Sequence, residues 1–156
     1  MSNVTTSTYR ATVTVDAPLE RAFKVFTEGF DTWWPRSHHI GSADMREAVM
    51  EPREDGRWYE RDVDGSECDW GRVLVWDPPR HVALSWHLTS EFRYDADPAR
   101  ASRVDVRFVA VDERTTRVEL DHSELDRRAD GAQVHGAISA EGGWRDLLNR
   151  FAGAAA

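Results

Sequence analysis

The residue types able to carry chemistry in this chain are six histidines, one cysteine and seven tryptophans. The tryptophans are Trp33, Trp34, Trp58, Trp70, Trp76, Trp86 and Trp144. Each supplies a large apolar ring and one N–H donor. So many rings in a small domain build either a heavy core or the wall of a cavity for a flat apolar ligand. The histidines decide whether such a cavity could also react. His38 and His39 are adjacent, so in an extended loop they point apart. His81 and His87 fall on the strand face opposite Trp86, toward water, while His122 falls on an apolar face. No pair has HxH or HxxxH spacing and the one cysteine cannot form a cluster, so no metal or cofactor is expected. An apolar-face histidine is most often a satisfied core residue. If His122 reaches a cavity, it can bond a ligand or act as a general base, with Glu60 or Tyr59 assisting. Glu60 and Glu141 are the carboxylates expected near such a cavity. Cys68 sits among Asp62, Asp64, Glu67 and Asp69, which disfavours a thiolate, and reads as structural. There is no GxSxG, P-loop or GxGxxG motif, and no catalytic residue is assigned.

These side chains need elements to position them. Thr8 to Val15 alternates apolar and polar residues, a half-buried strand. Asp16-Ala17-Pro18 ends it, and Leu19, Ala22, Phe23, Phe26 and Phe30 then fall at helical spacing. Gly29 breaks that helix, and a second short turn carries Trp33 and Trp34 to Pro35. Strands follow over Met45–Glu51, Arg57–Asp62, Cys68–Trp76, His81–Leu88, Ser102–Val111 and Thr116–His122. The Asp64-Gly65 pair marks a hairpin. On the last two of these strands, Phe108 and His122 share the apolar face with their valine and leucine neighbours. Over Trp70–Trp76 both faces look apolar, which leaves the inward face open and allows a bulge. Ser90–Ala101 reads as a long exposed loop, Ala132–Phe151 as one long last helix, and 152–156 as a frayed tail. The expected fold is α+β: a curved antiparallel sheet, wet on one face, gripping the last helix with the other. A gap between sheet and helix is a natural ligand pocket.

The chain has 156 residues, the size of a single domain over 1–156, and a formal net charge of -8. That charge argues against nucleic acid and against an anionic membrane surface. No apolar run reaches the roughly 20 residues of a spanning helix. The first ten residues are polar, with no apolar signal region, so the cytoplasm is the expected compartment. An exposed sheet edge could pair two copies into a homodimer.

A series of motifs carries a resemblance. Val13-Thr14-Val15-Asp16-Ala17-Pro18-Leu19-Glu20-Arg21-Ala22-Phe23 opens it, followed by Thr32-Trp33-Trp34-Pro35 and Gly56-Arg57-Trp58-Tyr59-Glu60-Arg61 with Asp64-Gly65. Trp70-Gly71-Arg72-Val73-Leu74, Asp77-Pro78-Pro79-Arg80 and Ser85-Trp86 come next. Leu120-Asp121-His122 and Gly142-Gly143-Trp144 with Leu147-Leu148 complete it. In this series the chain resembles the START-like (SRPBCC) superfamily, and within it the group like the activator of heat-shock-protein-90 ATPase homologue. The resemblance implies a helix-grip fold, similar to the birch-pollen allergen, with a hydrophobic cavity under the C-terminal helix. It implies binding of a lipid, hormone or polyketide-like ligand; some relatives turn their ligand over. Eukaryotic co-chaperones of the group carry a further N-terminal domain for which this length leaves no room, against a stress-response role on a chaperone. The candidate ligand-binding residues are Trp33, Trp34, Trp58, Trp70, Trp86, Phe108, His122 and Trp144. The leading expectation is binding of a small hydrophobic ligand. The alternatives are a cyclase- or hydrolase-type enzyme on the same cavity, or a chaperone-ATPase-activating module.

Overall fold

The alternation at the start of the chain becomes β1, Tyr9–Val15, in a computed structural model that describes residues 7–156. Two helices follow, α1 (Leu19–Thr27) and α2 (Phe30–Trp33). The strands are β2 (Met45–Met50), β3 (Arg57–Asp62), β4 (Glu67–Asp77), β5 (His81–Trp86), β6 (Ser102–Asp112) and β7 (Thr115–Ser123). Helices α3 (Gly131–Ser139) and α4 (Trp144–Ala155) end the chain. The strands form one antiparallel sheet in the order β1-β7-β6-β5-β4-β3-β2. Strand β1 crosses the chain to pair with β7, from Tyr9 opposite His122 to Val15 opposite Thr116. No helix among the described residues is long and apolar enough to cross a membrane.

The inner face carries Val82, Leu84, Trp86, Val104, Val106, Phe108, Val118 and Leu120, all buried. Against it lie the apolar stripes of α1 and α4. Phe26 meets Phe151 at 5.1 Å and Phe108 at 5.7 Å between ring centres. The ambiguity over Trp70–Trp76 resolves as two irregularities in β4. The register with β3 steps at Trp58/Tyr59, and that with β5 steps between Val73 and Val75. Each extra residue flips the side-chain parity once. Trp70, Val73 and Trp76 therefore all reach the inner face, at a spacing no regular strand allows. Trp70 and Val73 are buried, and Trp76 packs 5.1 Å from Phe23.

Three expectations are corrected. The last helix is two helices. The chain turns at Gly142, in the left-handed region at φ +82, and at Gly143, where a Cβ would lie 2.1 Å from the Ile138 carbonyl oxygen. The tail is not frayed: the helix runs to Ala155, which is fully buried and whose carbonyl accepts from Arg21 Nε at 2.7 Å. His87 is not in water. The 88–101 loop folds back through a Leu88–Tyr94 bridge and stacks Tyr94 on the imidazole at 5.4 Å. His87 then bonds Ser85 Oγ at 3.0 Å and the Asp95 carbonyl at 2.9 Å.

The helix break sets a test. Gly143→Ala forces backbone against backbone and is expected to lose about 1–3 kcal/mol in urea unfolding. Gly136→Ala, inside α3 with nothing within 4 Å of its added Cβ, is expected to gain about 0.5–1 kcal/mol from a better helix former. Equal midpoints for the two variants would show that the break carries no constraint.

Candidate functional site

The same break opens a cavity of about 330 Å³ between the sheet, the turn after α2 and the α3–α4 corner. Trp34, Trp70, Trp86 and Trp144 form its wall, and Ile40, Leu88, Ile138 and Leu147 add aliphatic surface. Phe92 sits at the rim, 45% exposed and at φ +59, a conformation that bulky residues seldom hold. Polar groups come from Ser37, His38, His39 and Glu141.

Five indoles close a circuit around this space. The steps are Trp34–Trp70 at 5.4 Å, Trp70–Trp58 at 5.5 Å, Trp58–Trp86 at 5.8 Å, Trp86–Trp144 at 5.7 Å and Trp144–Trp34 at 6.1 Å. All contacts are tilted or edge-on, the arrangements that ring quadrupoles favour.

Of the eight candidate residues, Trp34, Trp70, Trp86 and Trp144 line the cavity; the other four do not. Trp58 is fully buried between Trp70 and Trp86. Trp33 turns the other way, into Phe26 and Phe151, and donates to the Val25 carbonyl at 3.2 Å. Phe108 lies farther along the sheet under α1, 5.1 Å from Phe23. The inward face is shared by core and cavity, so facing inward does not place a residue in either.

His122 is the fourth. Trp144 Nε1 donates to its Nδ1 at 3.0 Å, so the imidazole carries its proton on Nε2 and donates that to Ser102 Oγ at 2.7 Å. Both nitrogens are used, and burial pushes its pKa down to about 3. His122 is thus a neutral clamp between α4 and the sheet, and a poor general base. Tyr59 cannot assist it, since it lies on the outer face under the Arg57 guanidinium at 3.9 Å.

Glu60 does reach the site, as a positioning group. Its fully buried carboxylate accepts from Ile40 N at 2.6 Å, Gly41 N at 3.2 Å and Trp70 Nε1 at 3.0 Å. One carboxylate thereby fixes both the mouth loop and an indole of the wall. Beside it, burial and the Glu60 carboxylate push the Asp62 carboxyl up to about 6. Glu60, Asp62 and Cys68 bring donor atoms within 4.8 Å of one another, the one grouping with metal-ligand chemistry among the described residues. Burial first, and then the surrounding carboxylates, push the Cys68 thiol up, so it is held as the neutral thiol that metals bind poorly. The cluster is better suited to sharing a proton than to holding an ion.

Sequence reasoning missed Ile40, Phe92, Ile138 and the place of His38 and His39 in the lining. The first two lie in loops with no periodicity to read. Ile138 was hidden by treating α3 and α4 as one stripe.

Two titrations test these assignments. His122 ring signals are expected not to move between about pH 5 and 8 in an NMR titration. A depressed histidine pKa means stability falls as the pH drops below the unfolded value of about 6.5. For Asp62 the sign is opposite: a raised carboxyl pKa costs nothing below about pH 4, and the cost grows as the pH rises to about 6 and is full above it. Asp62→Asn is therefore expected to raise the urea midpoint near pH 7 and to match the parent near pH 4. A gain of equal size at both values would remove the charge explanation.

Comparison with known proteins agrees with this architecture. No curated protein matches the chain. Among solved structures, an anthrahydroquino-γ-pyrone synthase, Txn09, is 40% identical, with 94% of this chain and 95% of that chain covered and a TM-score of 0.66. CalC, a self-sacrificing resistance protein from Micromonospora echinospora, is 30% identical, with 95% and 93% covered and a TM-score of 0.69. An HSP90 activator from Plasmodium falciparum shares the fold at 22% identity, with 76% and 73% covered and a TM-score of 0.52. The family model for activator of Hsp90 ATPase homolog 1-like protein matches residues 16–156, and the chain belongs to that family.

Proposed function

We propose that the protein binds a flat, polycyclic aromatic ligand of polyketide type in the indole-lined cavity. The carrying observation is the wall itself: Trp34, Trp70, Trp86 and Trp144 around about 330 Å³, with polar groups confined to Ser37, His38, His39 and Glu141. Ligand pockets run from roughly 300 to 1,000 Å³ and combine an apolar lining with a few polar groups. This one is at the small end, which suits a ligand held by its rings with one polar edge toward the mouth. Phe92, exposed at the rim, supplies a further ring for a ligand to cover. The 40% identical relative named for making an anthrahydroquino-γ-pyrone supports this ligand class.

A second reading, ring closure on the bound ligand, draws on that relative's name and on the imidazoles at the mouth. The chaperone reading has only a fold likeness at 22% identity behind it.

The test is native mass spectrometry with a hydroxyanthraquinone, beside thermal unfolding. A one-to-one adduct is expected, and at a hundredfold excess over Kd the midpoint should rise by about 5–10 °C. Ala137→Trp places an indole in the cavity from the α3 side and is expected to abolish the adduct while leaving the fold intact. An adduct that survives this substitution would put the ligand elsewhere.

A further inference from the structure

Two imidazoles stand side by side at the cavity mouth, and their hydrogen bonds make them chemically different. His38 Nε2 lies 2.8 Å from the Gly142 carbonyl oxygen. A carbonyl only accepts, so Nε2 carries the proton. His38 Nδ1 is then the acceptor, 3.1 Å from Ser37 Oγ. Both of its nitrogens are taken. His39 is the reverse. Its Nδ1 lies 3.0 Å from the Gly41 carbonyl oxygen and must carry the proton. Its Nε2 is left as a bare lone pair with no hydrogen-bond partner among the described residues, and His39 is one of the residues that line the cavity.

The mounting of His39 is rigid. The backbone on its C-terminal side is fixed by Glu60, through Ile40 N and Gly41 N. An imidazole whose one nitrogen is anchored on an acceptor and whose other nitrogen is free is oriented as a proton acceptor. The indoles and His122 do not compete. The indoles only donate, and His122 is locked behind the wall. Glu141 is the one carboxylate among the lining residues, and His38, next to His39 in the chain, has both ring nitrogens bonded.

We infer that His39 takes the proton of a phenolic or enolic hydroxyl on the ligand bound in this cavity. The inference rests on the binding reading above. A neutral imidazole exchanges protons effectively with acids of near-neutral pKa. Hydroxyls conjugated to a quinone, a pyrone or a β-diketone meet that condition; aliphatic alcohols do not. The proton passes from the ligand oxygen to His39 Nε2, leaving a phenolate and an imidazolium, and nothing else is gained or lost. The phenolate oxygen is the nucleophile that closure of an oxygen heterocycle requires.

The probe is 2-hydroxyanthraquinone, whose visible absorbance moves to longer wavelength on ionisation. The buffer is set about one unit below its free pKa. Bound to the parent protein, it is expected to show the anion band. His39→Asn keeps an amide N–H to donate to the Gly41 carbonyl but has no basic nitrogen. It is expected to bind the probe about tenfold more weakly than the parent, since ionising the bound ligand one unit below its free pKa adds about that much to the affinity, and to lose the anion band. The same band on both proteins would overturn the inference while leaving binding intact. Failure of the parent to bind the probe would overturn the binding reading and this inference with it. A second measurement needs no variant: ¹⁵N NMR should show the His39 ring passing from neutral to imidazolium as the probe binds, and a ring that stays neutral would overturn the assignment.

Discussion

The arrangement depends on a hydrogen bond that never meets solvent, from the Trp144 indole to His122. A buried donor left without a partner costs about 1–3 kcal/mol, so this one specifies where α4 may sit. The imidazole extends the chain to Ser102 on the neighbouring strand, which ties the first residue of the last helix to two strands at once. With that end pinned, the glycine corner before it must turn sharply, and the turn is what leaves a space between α3, α4 and the sheet. Cavity and clamp are two results of one constraint. The resemblance to ligand-binding folds pointed to His122, but its chemistry here is mechanical.

The opposite wall is held by a buried charge. Glu60 has no basic side chain beside it and is satisfied by two backbone amides and an indole. Charge-assisted hydrogen bonds of this kind are stronger than neutral ones. The carboxylate therefore acts through what it holds, the 38–41 loop on one side and Trp70 on the other.

Much of the fold was legible because strands with one wet face advertise it at period two. Val82, Leu84, Trp86 and Leu88 could be assigned to the interior from alternation alone, and all are buried. The β4 segment defeated that logic, since two irregularities within one strand change parity twice. The site was legible by half. Trp34, Trp70, Trp86 and Trp144 belong to its wall, whereas Trp33, Trp58 and Phe108 share their chemistry and not their position. What separates them is which rings and helices each packs against, a packing outcome with no sequence period. The mouth was legible only as a polar loop. Which histidine is spent and which is free depends on the carbonyls each ring meets, and backbone carbonyls leave no trace in residue types.

The closed circuit of indoles has an optical consequence. Rings at centre distances of 5.4–6.1 Å are close enough for their excited states to mix and for excitation to migrate around the loop before emission. The five chromophores, with Trp33 joined to them 5.7 Å from Trp34, behave as one antenna, with an exciton signature in circular dichroism that separate tryptophans would lack. Quenching at any one ring drains the others. The emission of this protein is therefore a collective property of the cavity wall, and it reports on the space the wall encloses even from rings that do not touch it.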